Sequence, residues 1–317
     1  MSAYPSRRYY ERVAAGSRYP AGPLETVFRL ADLLARIEAA VPGELLLRGG
    51  TALNLLHLDA PRLSVDLDLD YVGAPEAEVA QARRPGLLVE IEEVAARAGY
   101  EVERPRPSYA MAHLVLRYDD AAGRRSGLKI DLNFLDRVPV LEPVRLPLRH
   151  PFGSDLEAPV VLTFAFDELA ASKVIALSRR GLARDLFDVA ELAGAQLDRE
   201  RVRMVLTVRG AAYPPPSPDE YAFDAGRRVR LVDWRSQVVA LALRGRAVDL
   251  SAAQSLAEGL LGELLALTPA QLEFLRALEA GTLDAGLLRA PLLEARVAAN
   301  PGLLWRIQRG FAGLEER

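Results

Sequence analysis

Residues 45–71 read "LLLRGGTALNLLHLDAPRLSVDLDLDY", and the fold turns on how this stretch is divided. Leu45, Leu46 and Leu47 form a short apolar run that ends in the pair Gly49-Gly50, which predicts a buried strand. "TALNLLHL" has the spacing of a helix that starts directly after it. "SVDLDLDY" then places aspartates at 66, 68 and 70. Asp is among the residues least suited to a strand, yet Val65, Leu67 and Leu69 alternate as one buried face. A period of two gathers Ser64, Asp66, Asp68 and Asp70 on the other face. Like charges at that spacing repel unless a cation lies among them. The competing reading is a solvated edge strand carrying protective charges, but edges ordinarily use lysine or mixed signs for that purpose.

Outward from this stretch, "PLETVFRLADLLARIEAAV" repeats Val27, Leu30, Leu34 and Ile37 at helical spacing, and residues 76–100 are largely helical with an expected break near Pro85-Gly86. Strands are expected in "YEVERPR" (100–106), "AHLVLRY" (112–118) and "LKIDLNFL" (128–135), with a turn at "DDAAGRRSG". Proline-rich "RVPVLEPVRLPLRHPFG" reads as an extended connection, and residues 158–195 as a strand followed by two helices. From about residue 199 the pattern is mostly helical, interrupted by the irregular "AAYPPPSPDEYAFD". Strands and helices alternate over the first 150 residues, which predicts a mixed sheet with helices packed on it.

Composition excludes several chemistries. The absence of cysteine removes disulfides, thiolate nucleophiles and Cys-ligated zinc. No apolar run reaches membrane-spanning length, and the N-terminus "MSAYPSRRYYERV" lacks the apolar region of a secretory signal, so a cytoplasmic location with no membrane partner is expected. A net charge of -3 gives no global basic footprint, so a nucleic-acid partner needs a local patch. Of 40 basic residues only Lys129 and Lys173 are lysines, which suggests places where a compact ammonium is required. "GRRVRLVDWRSQ" sets arginines around Trp234; such a run either lines an RNA groove or, more often, is a solvated face. His57, His113 and His150 are scattered and read as structural.

Glycines between a strand and a helix allow close backbone approach, and a helix N-terminus offers free N–H groups to a phosphate. Beside carboxylates on the next strand, such a turn makes a site for a divalent metal and a triphosphate. Gly-Gly-Thr followed by Asp-x-Asp resembles the DNA polymerase β-type nucleotidyltransferase superfamily. The fuller text, with Arg62, Ser64, Asp66, Asp68 and Leu69, resembles the AbiEii/AbiGii toxin-like branch, which includes the mycobacterial MenT toxins. Asp131 in "LKIDLNF" matches the superfamily's third acidic residue, and "LAASKVIALSRRGLARDLFDVAEL" matches the branch's lysine helix and following Arg-Asp-x-x-Asp helix, with Lys173, Arg184, Asp185 and Asp188. The resemblance covers about residues 24–195, and Asp70 departs from it as an extra carboxylate.

The resemblance implies a bilobed α+β protein: an arm over 1–22, a nucleotidyltransferase core over 23–155 and a mainly helical domain over 156–317. It implies Mg²⁺, two ions, on Asp66, Asp68 and Asp131, and an NTP held by Gly49, Gly50 and Thr51, with Ser64 at the same face. Lys173 would neutralise the triphosphate. Asp185 and Asp188 sit three apart on one helix face; one orients Lys173 or an arginine, or else Asp185 caps the helix and Asp188 pairs with Arg184. Lys129 either touches a phosphate or screens the aspartates. The implied activity is transfer of an NMP to the 3′ end of tRNA by the toxin of a toxin–antitoxin pair, with a cognate antitoxin as partner. The alternatives are nucleotidylation of a protein or small molecule, and a non-catalytic NTP-binding module.

Overall fold

The computed structural model describes residues 4–17, 19–104, 108, 110–213, 217–245 and 249–309. Two compact units divide the chain. The first comprises Met1–Arg137, Pro143–Thr163 and Ala240–Ala247; the second comprises Val138–Glu142, Phe164–Val239 and Val248–Arg317.

In the first unit, helices α1 (Arg7–Ser17) and α2 (Ala21–Ala40) precede strand β1 (Leu45–Arg48), the short helix α3 (Gly49–Ala52) and a π-helical turn over Leu53–His57. Strand β2 (Asp66–Tyr71), helix α4 (Ala77–Arg97) and strands β3 (Glu101–Glu103), β4 (Met111–Asp119), β5 (Arg125–Asn133), β6 (Val144–Pro147) and β7 (Val160–Thr163) follow. The seven strands form one sheet in the order β3-β4-β5-β2-β1-β7-β6. The sheet is mixed: β2 runs antiparallel to β1 and parallel to β5. Leu67 and Leu69 of β2, Leu45 and Leu47 of β1 and Leu128, Ile130 and Leu132 of β5 are buried and share one face. Burial of these alternate side chains fixes the register, because a one-residue slip would turn the aspartates into the core.

Three sequence expectations change. Residues 7–17, expected in an arm, form a helix with Tyr10 and Ala14 buried, and Tyr9 and Tyr10 meet Phe28 of α2 edge to face. The helix α4 runs through Pro85 without a break. Its buried face of Ala80, Arg84, Leu87 and Ile91 outweighs the single backbone bond that proline removes. The sheet also extends past residue 155 through β7, and residues near 242 return to the segment just before β2: Leu63 N–H donates to Leu241 O at 2.9 Å. That second return crosses about a hundred and eighty residues of chain and has no local signal. Residues 105–106 of the third expected strand, and residues 214–216 of the irregular stretch, lie outside the described residues.

The second unit is helical. It contains α5 (Phe166–Arg180), α6 (Ala183–Ala193), α7 (Arg199–Ala212), α8 (Leu231–Trp234), α9 (Leu250–Leu264), α10 (Pro269–Glu279), α11 (Pro291–Ala298) and α12 (Pro301–Arg309). Asp198, Asp249 and Thr268 cap α7, α9 and α10 through their side chains. Glu168 is fully buried and accepts hydrogen bonds from Val140 N, Leu141 N and Arg209. Burial pushes its carboxyl above the ordinary glutamate range, against the pull of Arg209 and the two amides. Trp234 is 1% exposed and packs near Phe187, while Arg230 and Arg227 pair with Asp233 and Glu258. The "GRRVRLVDWRSQ" run therefore offers no indole for base stacking.

Candidate active site

The sheet register sets the site. Arg48 of β1 stands opposite Asp68 of β2, Asp68 beside Asp131 of β5, and Asp131 opposite His113 of β4. Paired positions point to the same face of a sheet, so these four side chains form one row across four strands. The next row holds Asp66 and Lys129, and the row on the other side holds Asp70 and Asn133. Asp66, Asp68 and Asp131 are each part-exposed, whereas Asp70 is fully buried.

That difference resolves the extra carboxylate. Asp70 Oδ1 lies 2.7 Å from Arg48 Nε and accepts a hydrogen bond from Asn133 Nδ2 at 3.1 Å. Asp70 is thus neutralised within the protein and anchors the arginine that precedes the glycine turn. Asp66 and Asp68 are left to face outward.

The turn itself is built against the aspartates. Gly49 has φ +73°, a conformation that L side chains rarely adopt, and a Cβ there would overlap the Asp68 carboxylate. Thr51 is fully buried and donates its hydroxyl to the Asp66 carbonyl at 2.6 Å. Its side chain locks α3 to β2 and leaves only its backbone N–H to serve a ligand at the turn. Asn54 Nδ2 donates back to Gly50 O at 3.0 Å and tightens the same helix. Ser64 is buried, 7% exposed, just before β2.

His113 Nδ1 lies 2.7 Å from Asp131 Oδ1. By its isolated place in the sequence this histidine reads as structural. The alternation in "MAHLVLRYD" does place His113 on the polar face of its strand; what was missing was the register that sets it opposite Asp131.

In the second unit, α5 and α6 present the other predicted residues. Gly181 ends α5 in the left-handed conformation, with φ +59°, which lets α6 fold back along it. Lys173 Nζ then lies 2.7 Å from Asp188 Oδ2 and 4.0 Å from Asp185 Oδ1. Asp185 is gripped at both oxygens by Arg180, at 2.6 and 2.8 Å. Asp188 therefore orients Lys173 and Asp185 holds an arginine. The expected helix cap at Asp185 is absent, since the position before α6 is Leu182 and has no side-chain cap.

Residues 32–253 match the family described as Nucleotidyl transferase AbiEii toxin, Type IV TA system, which is more than half of the chain. The chain belongs to the AbiEii family of nucleotidyltransferase toxins. It is similar in fold to MenT4, a nucleotidyltransferase toxin from Mycobacterium tuberculosis H37Rv, with a TM-score of 0.65 and 20% identity over 94% of this chain and 99% of that one. A structure described as a nucleotidyltransferase from H. pylori aligns with a TM-score of 0.45 and 18% identity, over 75% of this chain and 92% of that one. No curated protein matches the chain. The mixed sheet flanked by helices and the helical C-terminal part are those of an AbiEii nucleotidyltransferase, and the protein is an enzyme of that class. No helix among the described residues is long and apolar enough to cross a membrane.

The fit of a metal to this AbiEii site rests on donor chemistry. Among the described residues no three His, Asp or Glu side chains already form a metal-holding cluster. Asp66, Asp68 and Asp131 nevertheless supply oxygen donors only, on one sheet face, with the fourth carboxylate of that face withdrawn into its arginine pair. Oxygen-only donors suit Mg²⁺ rather than a softer transition metal.

Proposed function

We propose that this AbiEii enzyme transfers a nucleoside monophosphate from an NTP to the 3′-terminal hydroxyl of tRNA, in a Mg²⁺-dependent reaction. In this reading it is the toxin of a pair and is held in check by an antitoxin. The observation that carries the reading is the side-by-side placement of Asp68 and Asp131, in register on adjacent strands, with the Gly49 turn closed against Asp68.

Asp66, Asp68 and Asp131 would hold Mg²⁺, and two ions are expected. When bound, Mg²⁺ polarises the attacking hydroxyl and offsets the charge of the leaving group. The turn at Gly49, Gly50 and Thr51 offers backbone N–H groups to the phosphates. Lys173, oriented by Asp188, supplies a compact positive charge for the triphosphate. The acceptor oxygen attacks the α-phosphorus and forms the new P–O bond as the bond to the β-phosphate oxygen breaks. Pyrophosphate leaves with that bonding pair, and the hydroxyl proton passes to the Asp131 carboxylate. His113 restrains that carboxylate through Oδ1.

Incubation of the full chain with each α-labelled NTP, Mg²⁺ and either total tRNA, total protein or an aminoglycoside tests the acceptor. Label at the 3′ end of tRNA supports the proposal; label in protein or antibiotic, with none in RNA, would replace it. Acceptor binding should also weaken steeply with salt, through counterion release, while NTP binding weakens less.

A further inference from the structure

A cavity of about 340 Å³ lies within the second unit, lined by residues of α7, of α10 and of the turn that leads into α11. None of its residues belongs to the carboxylate site. Its volume falls in the range of small-ligand clefts, about 300–1,000 Å³. The lining combines two chemistries: apolar surface from Met204, Leu288 and Leu293, and a group of hydrogen-bond donors.

The donors begin at the start of α10. Thr268 caps that helix: its Oγ1 accepts from Gln271 N–H and its carbonyl from Leu272 N–H. Pro269 has no N–H to offer. Ala270 N–H is left as the donor of the first turn that has no partner among the described residues, and Ala270 lines the cavity. Gln271 lines it too, although its side chain belongs to a residue only 2% exposed. Gln271 Oε1 accepts from Thr268 N–H at 2.8 Å. That bond fixes the orientation of the amide and turns the Nε2 amino group the other way. Nε2 has no hydrogen-bond partner among the described residues. A buried donor left in that state is costly unless something from outside the chain accepts from it.

Five ionisable side chains complete the lining. Arg201 is committed to Asp198 and Asp167, at 3.3 and 3.4 Å. Arg203 donates from Nη1 to Ala266 O at 3.1 Å, its Nε has no partner, and it makes no ion pair among the described residues. Arg289 also pairs with no carboxylate among the described residues. These two arginines exceed the remaining carboxylate, Glu200, by one positive charge. Arg289 closes the turn over Ala285–Leu288 at φ +52°. Glycine takes that conformation freely, so the arginine side chain is held there against a backbone penalty.

We propose that this cavity binds a nucleoside monophosphate, at a site separate from the transferase centre. Arg203, Arg289, Ala270 N–H and Gln271 Nε2 take the phosphate, a set made of donors only. Met204, Leu288 and Leu293 cover the base, and Glu200 accepts from the sugar hydroxyls. Inorganic phosphate alone would leave most of the 340 Å³ unfilled, which favours a ligand with a nucleoside body.

The test is calorimetric titration of the full chain with the four 5′-monophosphates AMP, GMP, CMP and UMP, with the corresponding nucleosides and with inorganic phosphate. EDTA is present, so that no metal supports a nucleotide at the carboxylates. At least one nucleotide should bind at a single site per chain, and its nucleoside should not. Arg289→Gly should raise the Kd about tenfold or more, as loss of a charged hydrogen bond does. Its melting temperature should equal or exceed that of wild type, because glycine relieves the backbone. Gln271→Glu keeps an acceptor for Thr268 N–H, as in a capping box, but sets a carboxylate against the phosphate, and should abolish binding. Neither variant should alter the Kd of a non-hydrolysable NTP analogue measured with Mg²⁺. A folded Arg289→Gly protein that binds the nucleotide as wild type does would overturn the site, whether or not Gln271→Glu folds. A nucleoside that binds as tightly as its monophosphate would overturn the phosphate assignment. Inorganic phosphate that binds as tightly as every nucleotide would overturn the nucleoside assignment, and absence of binding by every nucleotide at millimolar concentration would overturn the proposal as a whole.

Discussion

Lys173 Nζ lies 2.7 Å from Asp188 Oδ2, and the two side chains are 6% and 0% exposed. Removing one partner of such a pair leaves a buried charge uncompensated, at about 3–5 kcal/mol, whereas replacing both by apolar groups is often close to neutral. Lys173→Met and Asp188→Leu should each lower the unfolding free energy by that order, and the double variant should recover most of the loss. All three should lack transferase activity. Urea denaturation of the four proteins gives the coupling, and losses that simply add would show that the pair is not the unit described. Lys173→Arg should restore activity only in part, because a planar fork does not replace a compact ammonium.

Asp70 and its neighbours at 66 and 68 should behave oppositely on substitution. Asp70→Ala removes the buried carboxylate paired with Arg48, whose side chain is 29% exposed, and one of the two carboxylates to which Asn133 donates. A loss of about 3 kcal/mol is expected, at the low end for a broken buried pair because Arg48 retains some water. Thermal and urea unfolding read it directly. An Asp70→Ala protein as stable as wild type would mean that this carboxylate is not held as described.

His113→Ala should lower kcat by about 10–100-fold, the range seen when a group that orients a metal-binding side chain is lost. KM for the NTP should stay unchanged, because the histidine acts on Asp131 and does not reach the glycine turn. A variant that raises KM while keeping kcat would place His113 in nucleotide binding.

His150 gives the protein a pH-dependent component of stability. It is half-buried, accepts a hydrogen bond from Phe152 N at Nδ1 and lies against the Phe152 ring. Burial lowers its pKa in the folded state from the ordinary 6.5. The unfolded chain therefore takes up the proton first. The stability this histidine contributes is complete above about pH 6.5 and is lost as the pH falls through that value toward the folded pKa. His150→Asn keeps an acceptor for Phe152 and does not titrate. Between pH 7.5 and 5 its melting temperature should fall less than that of wild type. Parallel curves would show that His150 titrates alike in both states.

The legible part of this molecule was local. Alternating Leu67 and Leu69 gave the strand, and Gly49-Gly50 with Asp66 and Asp68 gave the turn and the carboxylates it closes against, because strand period and glycine geometry act within a few residues. Three things were not legible from such patterns. Sequence period gave Asp70 the same face as Asp66 and Asp68, and only the packing of Arg48 and Asn133 separates its role. The pairing of His113 with Asp131 depends on β4–β5 register, set by a turn whose length alone does not fix it. Thr51 carries a residue type typical of phosphate contacts, yet the Asp66 carbonyl claims its hydroxyl.

Asp68 is proposed to serve bound metal and substrate rather than the fold. The most direct test is Mg²⁺-dependent transfer of label from an α-labelled NTP by Asp68→Ala, run beside wild type on protein verified by its melting temperature. No detectable transfer is expected, together with a melting temperature equal to or above that of wild type, because the variant also loses repulsion from Asp66 and Asp131. Full transfer by the folded variant would contradict it.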